Sequence, residues 1–367
     1  MPSRRASGHP PDLLIGGSGE PGRDHPLAPA AGGCRALEGV GDEQWLHSVG
    51  GAYRAGVQPA MAWPCCDPER LPALSASRSV GVNGGCGRSG GRGPVILRGV
   101  IRLVATDLDG TLWGPDMVVP ERHCEAVGEL ARWGVTVLAA TSRRPRAVRP
   151  CFERAGLALP AVLVDGAIGV DFRTGDRFHQ VVFDPGNAVA VLAIFRGAGL
   201  EPCVYVDDPD VDVLVSQTPS TCAAHLHYLG GLAAVEDLDA ALVALPVYAF
   251  SVLGVARERL EPAAGLLRSS GAEVMLYAEP RYGDYGLIVN PPGISKWSGI
   301  DAFCRLSGIS ASEVLAVGDG DNDLTMLTRA AVAVAVKGGT ERALAAADYV
   351  IDPPGEHGWA SLLDLIQ

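Results

Sequence analysis

Residues 104–112 of this 367-residue chain read Val-Ala-Thr-Asp-Leu-Asp-Gly-Thr-Leu. They overlap the end of an apolar run at 100–104, broken only by Arg102, which reads as a buried strand. A strand that ends in two aspartates and a Gly-Thr turn restricts the fold severely. Open α/β sheets place their ligands at the carboxyl ends of parallel strands. Strand alternation is expected to make the side chains of Asp107 and Asp109 diverge there, so that one attacks or holds a metal while the other reaches a leaving group. A bare D-x-D could equally cap a strand through an Asx turn. The longer string D-L-D-G-T-L after a strand is far more specific.

The chain that follows alternates between the two periodicities. A helix is expected over 121–133, with Val127, Leu130 and Ala131 on one face and Gly134 as its stop. Strand 135–140, helix 146–155 and strand 161–164 come next. Such alternation argues for a doubly wound parallel sheet. The pattern then changes. Segments 168–172 and 178–183 flank Thr174-Gly175-Asp176, a hairpin signal. A helix near 186–197 leads to strands at 203–206, 211–215 and 247–253, a helix at 257–269, and strands at 273–277 and 285–290. After Pro291-Pro292 the alternation resumes with helix 296–306, strand 314–317, helix 322–330 and strand 332–336. A short helix near 340–347, strand 349–351 and helix 358–366 close the chain. The expected fold class is therefore α/β: a doubly wound core at 98–169 and 289–367, interrupted by an α+β insertion at 170–288.

Composition separates the first 97 residues from the rest. They hold 19 of the 47 glycines and 11 of the 27 prolines, a low-complexity share that favours a disordered extension. They read either as a flexible extension or as sequence upstream of the true start. Gly85-Cys86-Gly87-Arg88-Ser89-Gly90 fits a dinucleotide-binding pattern, and 87–91 fits a nucleophile elbow, but neither has the strand and helix its chemistry needs. Arg4-Arg5 lacks the apolar stretch of an export signal. The net charge of −12 argues against a nucleic-acid surface, which would have to neutralise phosphates. The longest uncharged run, 240–256, is short for a membrane span and contains Pro246. The nine cysteines form no C-x-x-C, so neither a zinc site nor a disulfide framework is indicated, and a cytoplasmic location is the expectation.

Three further stretches carry polar groups at expected strand ends or helix starts. Thr141-Ser142-Arg143 follows strand 135–140. Its hydroxyl and turn amides could meet a phosphoryl oxygen, although an isolated Thr-Ser is more often a helix cap. Lys296 is one of only two lysines beside 28 arginines. A sequence that otherwise relies on arginine has kept a compact ammonium there, suited to act as a point charge on phosphate. Gly318-Asp319-Gly320-Asp321-Asn322-Asp323 follows strand 314–317. It is no EF-hand loop, because a strand precedes it and the distal Glu is missing. Carboxylates gathered at one sheet edge would repel one another unless a hard cation sat among them.

Together these motifs resemble the haloacid dehalogenase superfamily of phosphohydrolases over about residues 100–367. D-x-D-G-T is that superfamily's first motif, Thr141 matches its second, Lys296 its third, and G-D-x-x-N-D its fourth. The long insertion, Asp165-Gly166-Ala167 before it, and the endings Ala347-Asp348-Tyr349-Val350 and His357-Gly358 resemble the Cof-type branch with a C2 cap. Ser142, Trp297 and Asp165 depart from that branch's usual residues. The resemblance implies an Mg2+-dependent phosphatase acting on a small-molecule phosphate ester, a sugar phosphate or similar, through an aspartyl-phosphate. Asp107 would be the nucleophile and Asp109 the acid and base. Thr141 and Lys296 would balance charge, with Gly110, Ser142, Arg143 and Asn322 around the phosphate or substrate. Asp107, the Asp109 carbonyl and Asp319 would hold the metal, with Asp323 close by or orienting Lys296. A phosphomutase or phosphotransferase would use the same site. A retired binding scaffold is a third reading, which the intact set Asp107, Asp109, Thr141, Lys296 and Asp319 argues against.

Overall fold

The computed structural model describes residues 101–279 and 281–366. The extension expected at 1–97 lies outside them, as do its Gly-rich motif matches and Arg4-Arg5. Five strands come first: β1 (Leu103–Thr106), β2 (Thr136–Ala140), β3 (Pro160–Leu163), β4 (Ile168–Asp171) and β5 (Arg177–Gln180). Six more follow: β6 (Cys203–Val206), β7 (Val213–Val215), β8 (Ala233–Val235), β9 (Val247–Val255), β10 (Glu273–Ala278) and β11 (Tyr285–Asn290). The last are β12 (Val314–Gly318), β13 (Val332–Val336) and β14 (Tyr349–Ile351).

The first sheet has the order β14-β13-β12-β1-β2-β3-β4-β5. It is parallel from β14 through β3. Its central strands are buried on both sides, and period-2 alternation divides their residues between two apolar clusters. Val104, Val137, Ala139, Leu315 and Val317 face one cluster with Leu130, Val148 and Phe152. Those three come from helices Glu121–Arg132 and Pro145–Arg154. Leu103, Ala105, Leu138, Val314 and Ala316 face the other with Trp297, Ile300 and Phe303 of helix Lys296–Ser307. Helices on both faces make the sheet doubly wound, the α/β class expected.

Strand β1 starts later than the apolar run at 100–104 suggests. The ladders to both neighbours begin at Leu103 and end at Thr106, opposite Val317 and Ala139. That register puts Asp107, Thr141 and Asp319 at one edge of the sheet.

The hairpin expected at 168–183 forms, but not as the opening of the insertion. Strand β4 pairs antiparallel with β3, and β5 with β4, so both strands extend the first sheet. The expected boundary at 170 therefore falls inside that sheet. Period 2 identifies a strand without saying which sheet it joins.

The second sheet has the order β10-β11-β9-β6-β7-β8. Helices Pro185–Gly197 and Arg257–Ser269 cover one face, burying Leu192, Phe195, Leu260 and Leu267 against Phe250 and Val252. Helices Ala223–Leu229 and Leu238–Ala244, with β8, were not apparent from periodicity because each is too short to show one. The helix expected over 322–330 is a 3-10 turn, Asp321–Asp323, followed by the single turn Leu324–Leu327. Asp323 bends the chain there by turning its carboxylate back onto the amides of Asp319 and Gly320, each at 2.9 Å.

Candidate active site

Asp107 lies one residue beyond β1, its amide donating to the Val317 carbonyl at 2.9 Å. Leu108 and Leu112 are fully buried and pin the loop. Residues i and i+2 of a strand share a face, so strand geometry cannot be what separates Asp107 from Asp109. The separation comes from the turn. The chain leaves the strand after Thr106, and the amides of Leu112 and Trp113 fold back onto the Leu108 carbonyl. Gly110 takes φ +78°, and a Cβ there would sit 2.4 Å from Asp319 Oδ2. The expected phosphate-facing role for Gly110 does not match this placement: its amide donates to the Trp113 carbonyl, and its contribution is room for Asp319.

Asp107 faces inward. The Lys296 ammonium, wholly buried, donates to Asp107 Oδ1 and to Asp323 Oδ1, both at 2.6 Å. Helix Lys296–Ser307 presents this lysine at its first residue through a reciprocal cap: Ser295 accepts from the Ser298 amide while Ser298 Oγ accepts from the Ser295 amide. Burial tends to neutralise Lys296, but the two carboxylates reverse that and raise its pKa. Both oxygens of Asp323 are thus engaged, one by Lys296 and one by the loop amides.

Asp109 points the other way. Arg143 grips it with two hydrogen bonds, Nε to Oδ2 at 2.5 Å and Nη2 to Oδ1 at 2.7 Å, and Trp113 Nε1 donates at 3.1 Å. Burial pushes the Asp109 pKa up, yet Arg143 outweighs it and holds the carboxyl below its ordinary value. Arg143 also reaches the second sheet's side, donating from Nη1 to the Tyr228 hydroxyl at 3.0 Å. Thr141 is buried at the end of β2 and accepts from the Arg143 amide at 3.2 Å. Ser142 donates to Asp165 at 2.5 Å and accepts from Asn322 Nδ2 at 3.1 Å. Asp165 adopts φ 51°, uncommon outside glycine, and its buried carboxyl is pushed up by desolvation. The residue types at 142, 165 and 322 thus form one brace across three sheet-edge loops.

Carboxylate oxygens of Asp107, Asp319 and Asp323 lie within 4.8 Å of one another. Burial and then repulsion among these groups act on the first two. Asp107 is raised well above its ordinary value against the pull of Lys296, and Asp319 is pushed up to about 6. An all-oxygen, strained set of this kind fits a hard divalent cation. Among the described residues, the Asp319 carboxylate receives only a long hydrogen bond from Thr111, 3.3 Å, so it keeps coordinating capacity. The Asp109 carboxylate, taken by Arg143 and Trp113, is outside the cluster.

Sequence reasoning did not anticipate Tyr228, Trp113 or Asp165's link to Ser142 and Asn322. Tyr228 comes from a short helix far along the chain, and no local pattern announces it.

The family model of the haloacid dehalogenase-like hydrolases matches residues 104–363. Phosphatase YwpJ of Bacillus subtilis is 26% identical over 286 residues, spanning 72% of this chain and 99% of its own. Among solved structures, BT1666 from Bacteroides thetaiotaomicron superposes with a TM-score of 0.63 at 22% identity, covering 74% of this chain and 97% of that one. The subclass IIB sugar phosphatase BT4131 gives 0.58 at 22% identity, over 72% and 98%. The two aspartates with separate partners, the buried lysine and the acidic cluster all lie inside the matched span, and the chain belongs to the haloacid dehalogenase-like hydrolases, as a hydrolase of phosphate esters.

Proposed function

We propose that this hydrolase is an Mg2+-dependent phosphatase of a small phosphorylated metabolite, with the α+β layer at roughly 185–290 serving as a cap over the site. The observation that carries the reading is the single Lys296 ammonium 2.6 Å from both Asp107 and Asp323. It holds Asp107 in place and supplies positive charge where a phosphoryl group would bind. Asp107 Oδ attacks phosphorus, and the bond from phosphorus to the ester oxygen breaks. Asp109 gives that oxygen a proton and later takes one from water, which attacks the aspartyl-phosphate and releases phosphate. Acting as an acid requires Asp109 to gain a proton, which the Arg143 contact opposes, so substrate binding must loosen that contact. Thr141 makes no donor contact with a described residue, which leaves its hydroxyl proton for a phosphoryl oxygen. Asp107 and Asp319 would hold Mg2+, whose charge offsets that of the phosphoryl oxygens. The relatives named as phosphatases, one of them a sugar phosphatase, support a small ester as substrate.

The test is hydrolysis of p-nitrophenyl phosphate and a panel of phosphorylated metabolites, with Mg2+ and in chelator. Release of phosphate only with the cation supports the reading. Equal turnover in chelator, or none under any condition, overturns it.

A further inference from the structure

Three arginines surround the Tyr228 ring at the mouth of the site. Arg143 donates to its hydroxyl at 3.0 Å. The Arg144 guanidinium lies 6.0 Å from the ring centre and that of Arg281 4.8 Å. Arg143 is neutralised by Asp109, and Arg144 by Asp212 at 2.9 Å. Arg281 has no ion pair or side-chain hydrogen bond with any described residue. It stands beside Tyr228 and, at 5.9 Å, Tyr282, a contact that orients a guanidinium while leaving its N–H groups unused. Its charge adds to that of Arg143 in holding the Asp109 carboxyl low.

The nearby acceptors are already engaged. Glu279 is buried, one oxygen accepting from the Arg281 amide at 2.8 Å and the other from the Tyr277 hydroxyl at 2.6 Å. Asp165 is hydrogen-bonded by Ser142 and Asn322. An anion would find an unneutralised fork.

Resting on the phosphatase reading, we propose that the preferred substrate carries a second anionic group on its leaving side, a carboxylate or a second phosphoryl, and that Arg281 binds it. Arginine's planar fork pairs with either group through two parallel hydrogen bonds. The Tyr228 ring ties Arg281 to the same assembly as Arg143, which grips Asp109, the residue assigned to the leaving oxygen. This makes Arg281 a specificity residue supplied by the insertion.

Matched esters test this. The purified full chain is assayed with Mg2+ on 6-phosphogluconate against sorbitol 6-phosphate, and on fructose 1,6-bisphosphate against fructose 6-phosphate, with p-nitrophenyl phosphate as reference. The wild type is expected to favour the doubly anionic member of at least one pair by about tenfold or more in kcat/KM. Which pair responds distinguishes carboxylate from phosphoryl. Arg281→Ala should bring that ratio close to one, chiefly through KM, Arg281→Lys should keep part of it, and Arg281→Glu should reverse it. If p-nitrophenyl phosphate is hydrolysed but neither doubly anionic ester is favoured, this inference falls and the phosphatase reading stands. If Arg281→Ala keeps the full preference, the assignment to Arg281 is wrong. If no ester is hydrolysed, both fall together. Should Arg281→Ala fold poorly, the wild-type ratio and Arg281→Lys decide the matter.

Discussion

Lys296 shows how far one residue's environment departs from its chemical habit. Lysine is almost never fully buried unless paired, and here two carboxylates hold it charged. Replacing Asp107 with Asn keeps the shape and one hydrogen-bond acceptor but removes the attacking charge. Asp107→Asn should lose about a thousandfold or more in kcat with a native circular dichroism spectrum. Turnover near wild type in a purified sample would refute the nucleophile. Asp319 gives a pH prediction whose sign can be worked out. Its folded pKa, pushed up to about 6, lies above the ordinary carboxylate value of 3.8, so between those values the folded state binds more protons than the unfolded one. Without metal, this group's contribution to stability is therefore greatest at low pH and is lost as pH rises through about 6. A divalent cation favours the ionised form and opposes that loss. Thermal melts should show an Mg2+ stabilisation that is larger at about pH 7.5 than at about pH 5, and Asp319→Asn should shrink it at the higher pH. A shift independent of pH, or retained in full by Asp319→Asn, would remove Asp319 from the cation site.

At the scale of elements, the two sheets are joined by complementary charge. The basic start of helix Pro145–Arg154 meets the acidic loop between β6 and β7. Arg144 pairs with Asp212 at 2.9 Å, both largely buried, and Arg146 donates to the carbonyls of Asp208, Pro209 and Asp210. From β5, Arg177 grips Asp207 with two hydrogen bonds. Desolvation raises the Asp212 pKa despite Arg144 and Arg146, so burial takes back much of the attraction. Removing one partner is costlier than the pair is favourable. Arg144→Ala should destabilise the protein by roughly 2–4 kcal/mol in urea unfolding, and adding Asp212→Asn should recover at least about 1 kcal/mol of it. A single-variant cost below about 0.5 kcal/mol would mean the pair does not hold these elements together.

For the whole molecule, the described residues close two apolar clusters over the first sheet and two, one large and one small, over the second. Ile101 is already inside one of them at 2% exposure. A chain beginning near residue 98 should therefore fold cooperatively and hydrolyse p-nitrophenyl phosphate within about twofold of the full chain. Loss of solubility or of most activity would show that the segment before it contributes to the enzyme.

The sequence by itself determined most of the strands, their alternation with the longer helices, and the polar groups that end the central strands. Local period, glycine stops and serine caps are short-range physics. Strands β11 and β13 and helix Arg257–Ser269 therefore fall where the pattern puts them. Lys296 was legible because one of only two lysines beside 28 arginines is conspicuous without coordinates. Only the tertiary structure decided that β4 and β5 complete the first sheet, because strand pairing depends on which edge is free rather than on either strand's own residues. Only it decided that Arg143 grips Asp109, 34 positions away in the chain, that Asp323 gives both oxygens to neighbours, and that Tyr228 and Arg281 reach the site. Those contacts join side chains across long sequence separations, and no local pattern encodes the direction in which a side chain comes to rest.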